Sequence, residues 1–503
     1  MQMPLTGSFK KNIFPIFLIG VIAYLLYHPI LNNTFLADDY YSLYRISIEK
    51  RILYKEFFRP MIDISFSLNY FISGMNSNSY YIFNLLVHIF NTYLLYLFAR
   101  QFILTDDNRG EVFAIVSAFL FLIYPFHNEG IVWLTGRLST LACFFSLICL
   151  NISLRNRNNT FKLSLSAIFF LIGLISYEAI LFLPAIIIAI TWQKEKPVKE
   201  IITSAIFWTI ITGFYLFVRF YFSNKIYGEY GGRIFDGGIT GQLSKLFKVS
   251  GRMFLPPIEN STHMTVFFII LSSILIFVHI WIFRKRAIKN SLPIKYLQLI
   301  IALIIALIIP VCFGISTRTF EADRLLYFPS CFLCMIISYF FIYLIQLRVA
   351  KIVSLSIISI YFIFFLEKNN RQWVKASDAS KLILQTVKEN ASKGIVLINM
   401  PDELEGAVVF RNGFRESLVL NHIDTSKVIV TNLLTRLEYL KIGDTIQPVR
   451  QNGGLFIYPV TLLQESNNQN IQIVNLSTGA VPREVTRAYS FYYWNKSNLV
   501  KLF

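Results

Sequence analysis

The chain of 503 residues is 55% hydrophobic and 16% aromatic, with 15% charged side chains and a mean hydropathy of +0.55. A soluble chain carries about a quarter charged residues, so an ordinary water-soluble enzyme is excluded. The formal charge of +18 sits in short clusters between apolar runs (RNRNNTFK, KEKPVK, RKRAIKNSLPIK, RVAK); this is how Lys and Arg set membrane topology, and without a contiguous basic domain nucleic acid is excluded as a partner.

At the N-terminus, Lys10 and Lys11 precede an apolar run over 13–31. It is long for a signal segment and lacks a small-residue cleavage site, so it reads as a retained anchor with its N-terminus inside. Just after it, NTFLADDYYSLY sets Asp38 beside Asp39. Adjacent ionised carboxylates repel, and desolvation makes the repulsion worse. The pair fits either a helix start, where acids complement the dipole, or a reaction centre. Arg59 follows, directly before Pro60.

Further runs long enough to span a bilayer fall at 81–99, 112–126, 131–153, 163–177, 179–193, 201–222, 264–283, 297–315, 325–346 and 352–367. With the first run they predict about eleven transmembrane helices. Asn84, His88 and Asn91 recur at i, i+4 and i+7 on one helical face, suited to inter-helix hydrogen bonds or to a ligand. YPFHNEGIVWLTGRLSTLA places His127 and Glu129 in a tight turn and Arg137 deeper in the next helix. An arginine at that depth needs a carboxylate, carbonyl or phosphate partner. STRTFEADRLLYFPS carries Arg318, Glu321, Asp323 and Arg324 between two spans. The five cysteines all lie in apolar segments and read as small buried hydrophobes, with no disulfide framework implied.

From 367 onward the pattern changes. KNNRQWVKASDASKLILQTVKEN repeats its apolar positions at helical spacing, and GIVLIN, KVIVTNLL and GLFIYPVTLL read as strands. The predicted architecture is a mainly α-helical polytopic membrane domain over 1–367, with long outer loops at about 32–80 and 223–262. A small extracytoplasmic α/β domain follows over 368–503. No internal repeat is visible.

The segments 1–12, 100–111, 154–162, 193–200, 284–296 and 346–351 together hold 17 Lys and Arg. By the positive-inside rule they are cytoplasmic, which puts the C-terminal domain outside. Asp38, Asp39, Arg59, Asp63, His127, Glu129, Glu178, Arg233, Glu321, Asp323 and Arg324 then gather on the outer side, where ionisable groups at membrane depth mark a site.

Taken in order, FLADDY, FFRPMIDISFSLNYFISG, YYIFNLLVHIFN, YPFHNEGIVWLTGR and ADRLLYFPS resemble the motifs of the GT-C class of membrane glycosyltransferases. The likeness is greatest to the dolichyl- or polyprenyl-phosphate-mannose protein O-mannosyltransferases of family 39 and related transmembrane mannosyltransferases with lumenal repeats. It covers roughly residues 13–370 and implies a GT-C-like fold.

The resemblance implies transfer of a sugar from a polyprenyl-phosphate donor in the bilayer to an acceptor hydroxyl on the outer face, with inversion. It assigns Asp38 as general base, and Asp39 either orients the acceptor or holds a divalent metal. Arg59 and Arg324 take the donor phosphate. His127, Glu129, Arg137, Glu178, His88 and Asn84 are expected around the pocket. The tail departs from the family, with neither a tetratricopeptide array nor a β-trefoil insert. That favours a glycan, lipid or exported-protein acceptor, in a bacterial inner membrane with a periplasmic C-terminal domain. The competing reading is a transporter or flippase of lipid-linked glycans, to which repeated halves and midplane charges would belong.

Overall fold

The structure, a computed structural model, describes residues 8–55, 57–103, 108–155, 160–192, 198–224, 238–258, 262–271, 273, 292–390, 392–434, 447–451, 454–458, 489–495 and 498–501. Arg233 and positions 274–283 of one expected span lie outside them. In chain order the helices are α1 (Ser8–Tyr27), α2 (Asp38–Ser47), α3 (Pro60–Ser73), α4 (Ser77–Phe102), α5 (Arg109–Leu122) and α6 (Asn128–Ile131). Then come α7 (Arg137–Arg155), α8 (Thr160–Leu174), α9 (Leu183–Thr191), α10 (Val198–Ser223), α11 (Gly238–Arg252) and α12 (Thr262–Leu271). The last are α13 (Leu292–Ala306), α14 (Ile308–Phe313), α15 (Tyr327–Tyr339), α16 (Arg348–Asn390) and α17 (Phe414–Leu420).

Seven stretches among the described residues are long and apolar enough to cross a membrane: Pro15–Asn32, Ser77–Phe102, Leu134–Leu154, Lys199–Ser223, Ile294–Phe313, Asp323–Leu344 and Arg348–Asn390. The chain is a helical polytopic membrane protein. Three of the other expected spans are shorter helices: α5 has 14 residues, α8 has 15 and α9 has 9. At 1.5 Å per residue they reach about 21, 22 and 14 Å, less than the roughly 30 Å hydrocarbon core.

The chain divides into two compact units that are not collinear with it. The first holds Met1–His28, Leu53–Ser65 and Tyr80–Asn370; the second holds Pro29–Ile52, Phe66–Ser79 and Arg371–Phe503. In the first unit α7 packs on α8, and α15 packs on α5 and α13. Helix α10 is sided in the manner of a bilayer helix. Ile202, Ile206, Ile210, Phe214 and Phe217 are exposed, whereas Trp208, Tyr215 and Arg219 are buried. Apolar residues outward and an ionisable group inward is what a hydrocarbon solvent selects.

Between α5 and α7 the chain is folded tightly around Glu129. A Cβ on Gly136 would overlap the Glu129 carbonyl oxygen, and one on Gly130 would lie 2.9 Å from Ser139 Oγ. Both glycines are present because backbone and side chain approach too closely for anything larger.

In the second unit the strands are β1 (Ile395–Pro401), β2 (Glu403–Leu404), β3 (Ala407–Val408), β4 (Val428–Leu434), β5 (Gln447–Gln451), β6 (Gly454–Tyr458), β7 (Ser490–Asn495) and β8 (Asn498–Lys501). A four-stranded sheet runs β4-β1-β7-β8. Strand β1 is parallel to both β4 and β7, and β8 is antiparallel to β7. The residues Ile395, Val396, Leu397 and Ile398 are all buried, the continuous apolar run of a strand covered on both faces. In α16, Trp373, Ala376, Ala379, Ile383 and Val387 form a buried stripe at helical spacing. Helix α2 packs on α17.

The crowding at Gly136 predicts that Gly136→Ala costs about 1–3 kcal/mol through forced backbone shifts. It is measured as a lowered thermal midpoint of the detergent-purified protein. Gly20→Ala, where a Cβ meets nothing within 4 Å, should leave the midpoint unchanged.

Candidate functional site

The first unit holds most of the charged residues singled out by the sequence, and it couples them in pairs. Arg59 grips Glu178 with one edge of its guanidinium: Nε donates to Oε2 at 3.0 Å and Nη2 to Oε1 at 2.5 Å. The same carboxylate accepts from Arg219 Nη1 at 3.5 Å, and that nitrogen also donates to the Tyr215 hydroxyl at 2.9 Å. The Arg59 guanidinium lies 4.8 Å from the Tyr177 ring centre and 5.1 Å from that of Phe57. Bidentate pairing fixes the plane of an arginine as well as its position. Nearby, Asp63 accepts the Tyr54 N–H at 2.8 Å, and the Met61 N–H reaches the Ile175 carbonyl at 3.3 Å. The second of these bonds ties the start of α3 to the segment before Glu178.

The turn that precedes α15 is held from two directions. Glu129 accepts the Ala322 N–H at 3.2 Å, the Arg324 N–H at 2.7 Å and the Arg324 guanidinium itself. Its neighbour Asp323 receives Arg252 Nη2 on both oxygens, at 2.5 Å on Oδ1. Arg252 Nε donates to the Ser316 carbonyl at 3.1 Å and Nη1 to that of Leu255. The Arg252 and Asp323 side chains are 0% and 1% exposed, so each charge depends on the other. Burial pushes the Glu129 carboxyl above the usual range, against the pull of Arg324 and the two backbone N–H groups.

Glu129 therefore pairs with Arg324, while Arg137 satisfies itself differently. Its Nη1 donates to Ser65 Oγ and its Nη2 to the Tyr80 carbonyl, both at 3.4 Å, and its guanidinium lies 4.8 Å from the Phe83 ring centre. His88, His127, Asn84 and Arg137 are all 0% exposed. His88 Nδ1 meets the Tyr327 hydroxyl at 2.6 Å, His127 Nε2 meets Ser330 Oγ at 2.7 Å, and Asn84 Nδ2 donates to the Ile131 carbonyl at 3.0 Å. Asn91 adds bonds to the Thr140 carbonyl at 2.9 Å and the Tyr327 hydroxyl at 3.2 Å. The contacts recorded for these side chains join α4, α6, α7 and α15 inside the first unit.

Two functional-looking arginines were not singled out from sequence. Arg219 sits within the apolar stretch of α10, and an arginine inside a span is itself a signal. Arg252 ends the amphipathic helix α11, beside Lys245 and Lys248, where a basic residue reads as a solvated face.

The acid pair lies in the second unit, in the first turn of α2. Asp39 is 0% exposed and accepts the Leu36 N–H at 3.0 Å. This bond closes a local loop at the start of α2. Asp38 is half-buried. The neighbours thus occupy different environments, one carboxylate inward and hydrogen-bonded to backbone. Among the described residues no three His, Cys, Asp or Glu side chains come together as metal ligands.

One backbone feature recurs. Ala37 (φ 44°), Phe58 (φ 45°) and Ala322 (φ 72°) are all non-glycine residues in the left-handed region. They stand immediately before Asp38-Asp39, Arg59 and Asp323-Arg324. Such a residue costs on the order of 1–3 kcal/mol and persists where its surroundings over-determine it, often at functional sites.

This polytopic helical fold carries a segment shared with named enzymes. Over 91 residues (18% of the chain) it is 33% identical to the protein O-mannosyl-transferase TMTC1 of Homo sapiens, covering 10% of that protein. Over 90 residues, again 18% of the chain, it is 33% identical to Tmtc1 of Drosophila melanogaster, also covering 10%. Over 111 residues (22% of the chain) it is 29% identical to the protein O-mannosyl-transferase F38B6.6 of Caenorhabditis elegans, covering 16%. The chain thus spans about a tenth of the length of the first curated relatives it matches. No family model matches the sequence.

Breaking the buried Arg252–Asp323 pair from one side should be severe. Arg252→Met is expected to lose about 3–5 kcal/mol, because it strands a buried carboxylate, and Arg252→Met with Asp323→Leu should recover most of that. Thermal unfolding of the three proteins in one detergent measures the difference.

Proposed function

We propose that the protein is a membrane glycosyltransferase of GT-C type. It moves a sugar from a polyprenyl-phosphate donor to an acceptor hydroxyl on the extracytoplasmic face. The observation that carries this reading is the placement of three strained residues, Ala37, Phe58 and Ala322, inside three of the motifs that resemble that class, each directly before a charged residue. The segment of identity to proteins named O-mannosyl-transferases supports a mannosyltransferase-like activity.

In the reaction Asp38 takes the proton of the acceptor hydroxyl as the oxygen attacks the anomeric carbon. The bond from that carbon to the phosphate oxygen breaks, configuration inverts, and the lipid phosphate leaves with the electron pair. Arg59 and Arg324 balance the charge on the phosphate. Glu178 and Glu129 serve as positioning residues that hold those two guanidinium groups in plane before the donor arrives. Asp39 keeps the start of α2 closed through Leu36. His127, His88, Asn84 and Arg137 support the site through the interior contacts described above. About eleven spans, an inside N-terminus and an extracytoplasmic C-terminal unit, as in a bacterial inner membrane, complete the reading. The acceptor is a glycan, a lipid or an exported protein.

Reconstituted protein supplied with a labelled polyprenyl-phosphate mannose should release lipid phosphate and yield an inverted product. Asp38→Asn should cut the rate by roughly 10²–10⁴, the contribution of a positioned base, with donor binding retained. Full turnover in that variant would remove Asp38 from its role, and donor movement across the bilayer without transfer would favour the flippase.

A pH dependence follows from Glu129. Its carboxyl titrates above the usual glutamate range, and on protonation it releases the Arg324 guanidinium. The transfer rate should therefore fall as pH drops, with a midpoint above that of an ordinary glutamate. Glu129→Gln should be slower and lack that limb, which a pH–rate profile of the two proteins checks.

A further inference from the structure

The tail segment NMPDELEGAVVFRNGF, which carries no recognisable catalytic pattern, contacts the backbone from which the acid pair springs. The Ala37 N–H donates to the Val409 carbonyl at 2.9 Å, and the Val409 N–H in turn donates to the Asp402 carbonyl at 2.7 Å. Strands β2 and β3 form a hairpin whose two turn residues, Glu405 (φ 50°) and Gly406 (φ 90°), are both left-handed. That conformation matches the twist of paired strands. Arg411 closes the base of the hairpin on the Glu403 carboxylate and lies 3.7 Å from Asp402, and both acids are 2% exposed.

The other side of Ala37 is equally confined. Gly413 has φ 79°, and a Cβ there would overlap the Ala37 carbonyl and come within 3.3 Å of Tyr40 Cβ. The Phe410 ring stacks on Tyr40 at 6.2 Å, backed by Phe414 edge-on at 5.0 Å. On the same stretch of chain, the Thr34 N–H donates to Ser377 Oγ at 2.9 Å and Lys381 Nζ to the Asn32 carbonyl at 2.7 Å. Both peptide groups around Ala37 are therefore set by the tail, one by a hydrogen bond and the other by contact.

An alanine does not hold φ 44° on its own, since the left-handed region is costly for any residue with a Cβ. Something must hold it, and the Val409 carbonyl with the Gly413 surface is what does so. Rotation at Ala37 would swing the first turn of α2, and Asp38 with it. We propose that residues 402–413 are a positioning clamp for the acid pair, so that the C-terminal unit sets the geometry of the base and is more than a passive appendage. The proposal rests on the assignment of Asp38 as base. Val409, Phe410 and Gly413 are its positioning residues, and they act through Ala37.

The test uses the full chain, with Gly413→Ala and Phe410→Leu compared to the unaltered protein. Phe410→Leu thins the ring contact without adding atoms and guards against a simple folding failure of the first variant. Amide hydrogen exchange at 36–40, donor binding and transfer rate are read on each. The clamp predicts exchange at Ala37 at least roughly tenfold faster and kcat lower by at least roughly tenfold in both variants, with the affinity for labelled polyprenyl-phosphate mannose within about twofold; the thermal midpoint falls in Gly413→Ala, as in Gly136→Ala, and is nearly kept in Phe410→Leu. Unchanged exchange at 36–40 overturns the proposal. So does faster exchange with unchanged kcat, or faster exchange spread evenly over the whole chain. If the unaltered protein transfers no sugar at all, the functional reading fails, and the exchange data alone still decide whether the tail holds Ala37.

Discussion

A guanidinium withdrawn from water must have a counter-charge or a wall of acceptors, because ionised groups left alone in a low-dielectric interior cost several kcal/mol. That constraint organises the first unit. Arg252 has Asp323, Arg324 has Glu129, Arg59 and Arg219 share Glu178, and Arg137 draws on a carbonyl, a hydroxyl and aromatic faces. Each pair links elements distant in sequence, so charge neutralisation also fastens segments that hydrophobic contact alone would leave free to slide. Interior packing in a membrane gains little from apolar burial, since lipid tails are as apolar as Leu. Polar pairing is correspondingly more decisive.

The turn Ala322-Asp323-Arg324 shows how economical this can be. Consecutive side chains leave it toward different partners, one to the end of α11 and one to α6. A left-handed alanine makes the divergence feasible. The same device stands at Ala37 and Phe58. In all three places a left-handed residue directly precedes a charged side chain.

Much of the helical framework was legible in the sequence, because apolar runs, their lengths and the basic clusters between them are local signals. The motifs were legible as well: ADDY, Arg59-Pro60, HNE and EADR stood out as charge in apolar surroundings. The partners were not. Periodicity reports which face a residue occupies, never what lies opposite it, so the meeting of Glu129 with Arg324 or of Arg59 with Glu178 had no local trace. Arg219 was hidden by the hydropathy of α10, and Arg252 by the basic face of α11. His88 and His127 look the same in sequence whether they meet a ligand or a neighbouring helix, so their Tyr327 and Ser330 partners had no local trace either. The union of residues 29–52 with the tail was the least visible of all, since a hairpin that supports a distant turn is itself unremarkable in composition.

That union bears on how the protein is made. The Thr34–Ser377 bond spans 343 residues of chain. A ribosome adding about 5–20 residues per second needs roughly 17–70 s to supply the second partner. During that interval the first helices are already emerging and inserting, while the segment bearing Asp38 has no partner to settle against. On the proposed assignment, the backbone at Ala37 gains its Val409 partner only after residues 402–413 have been made.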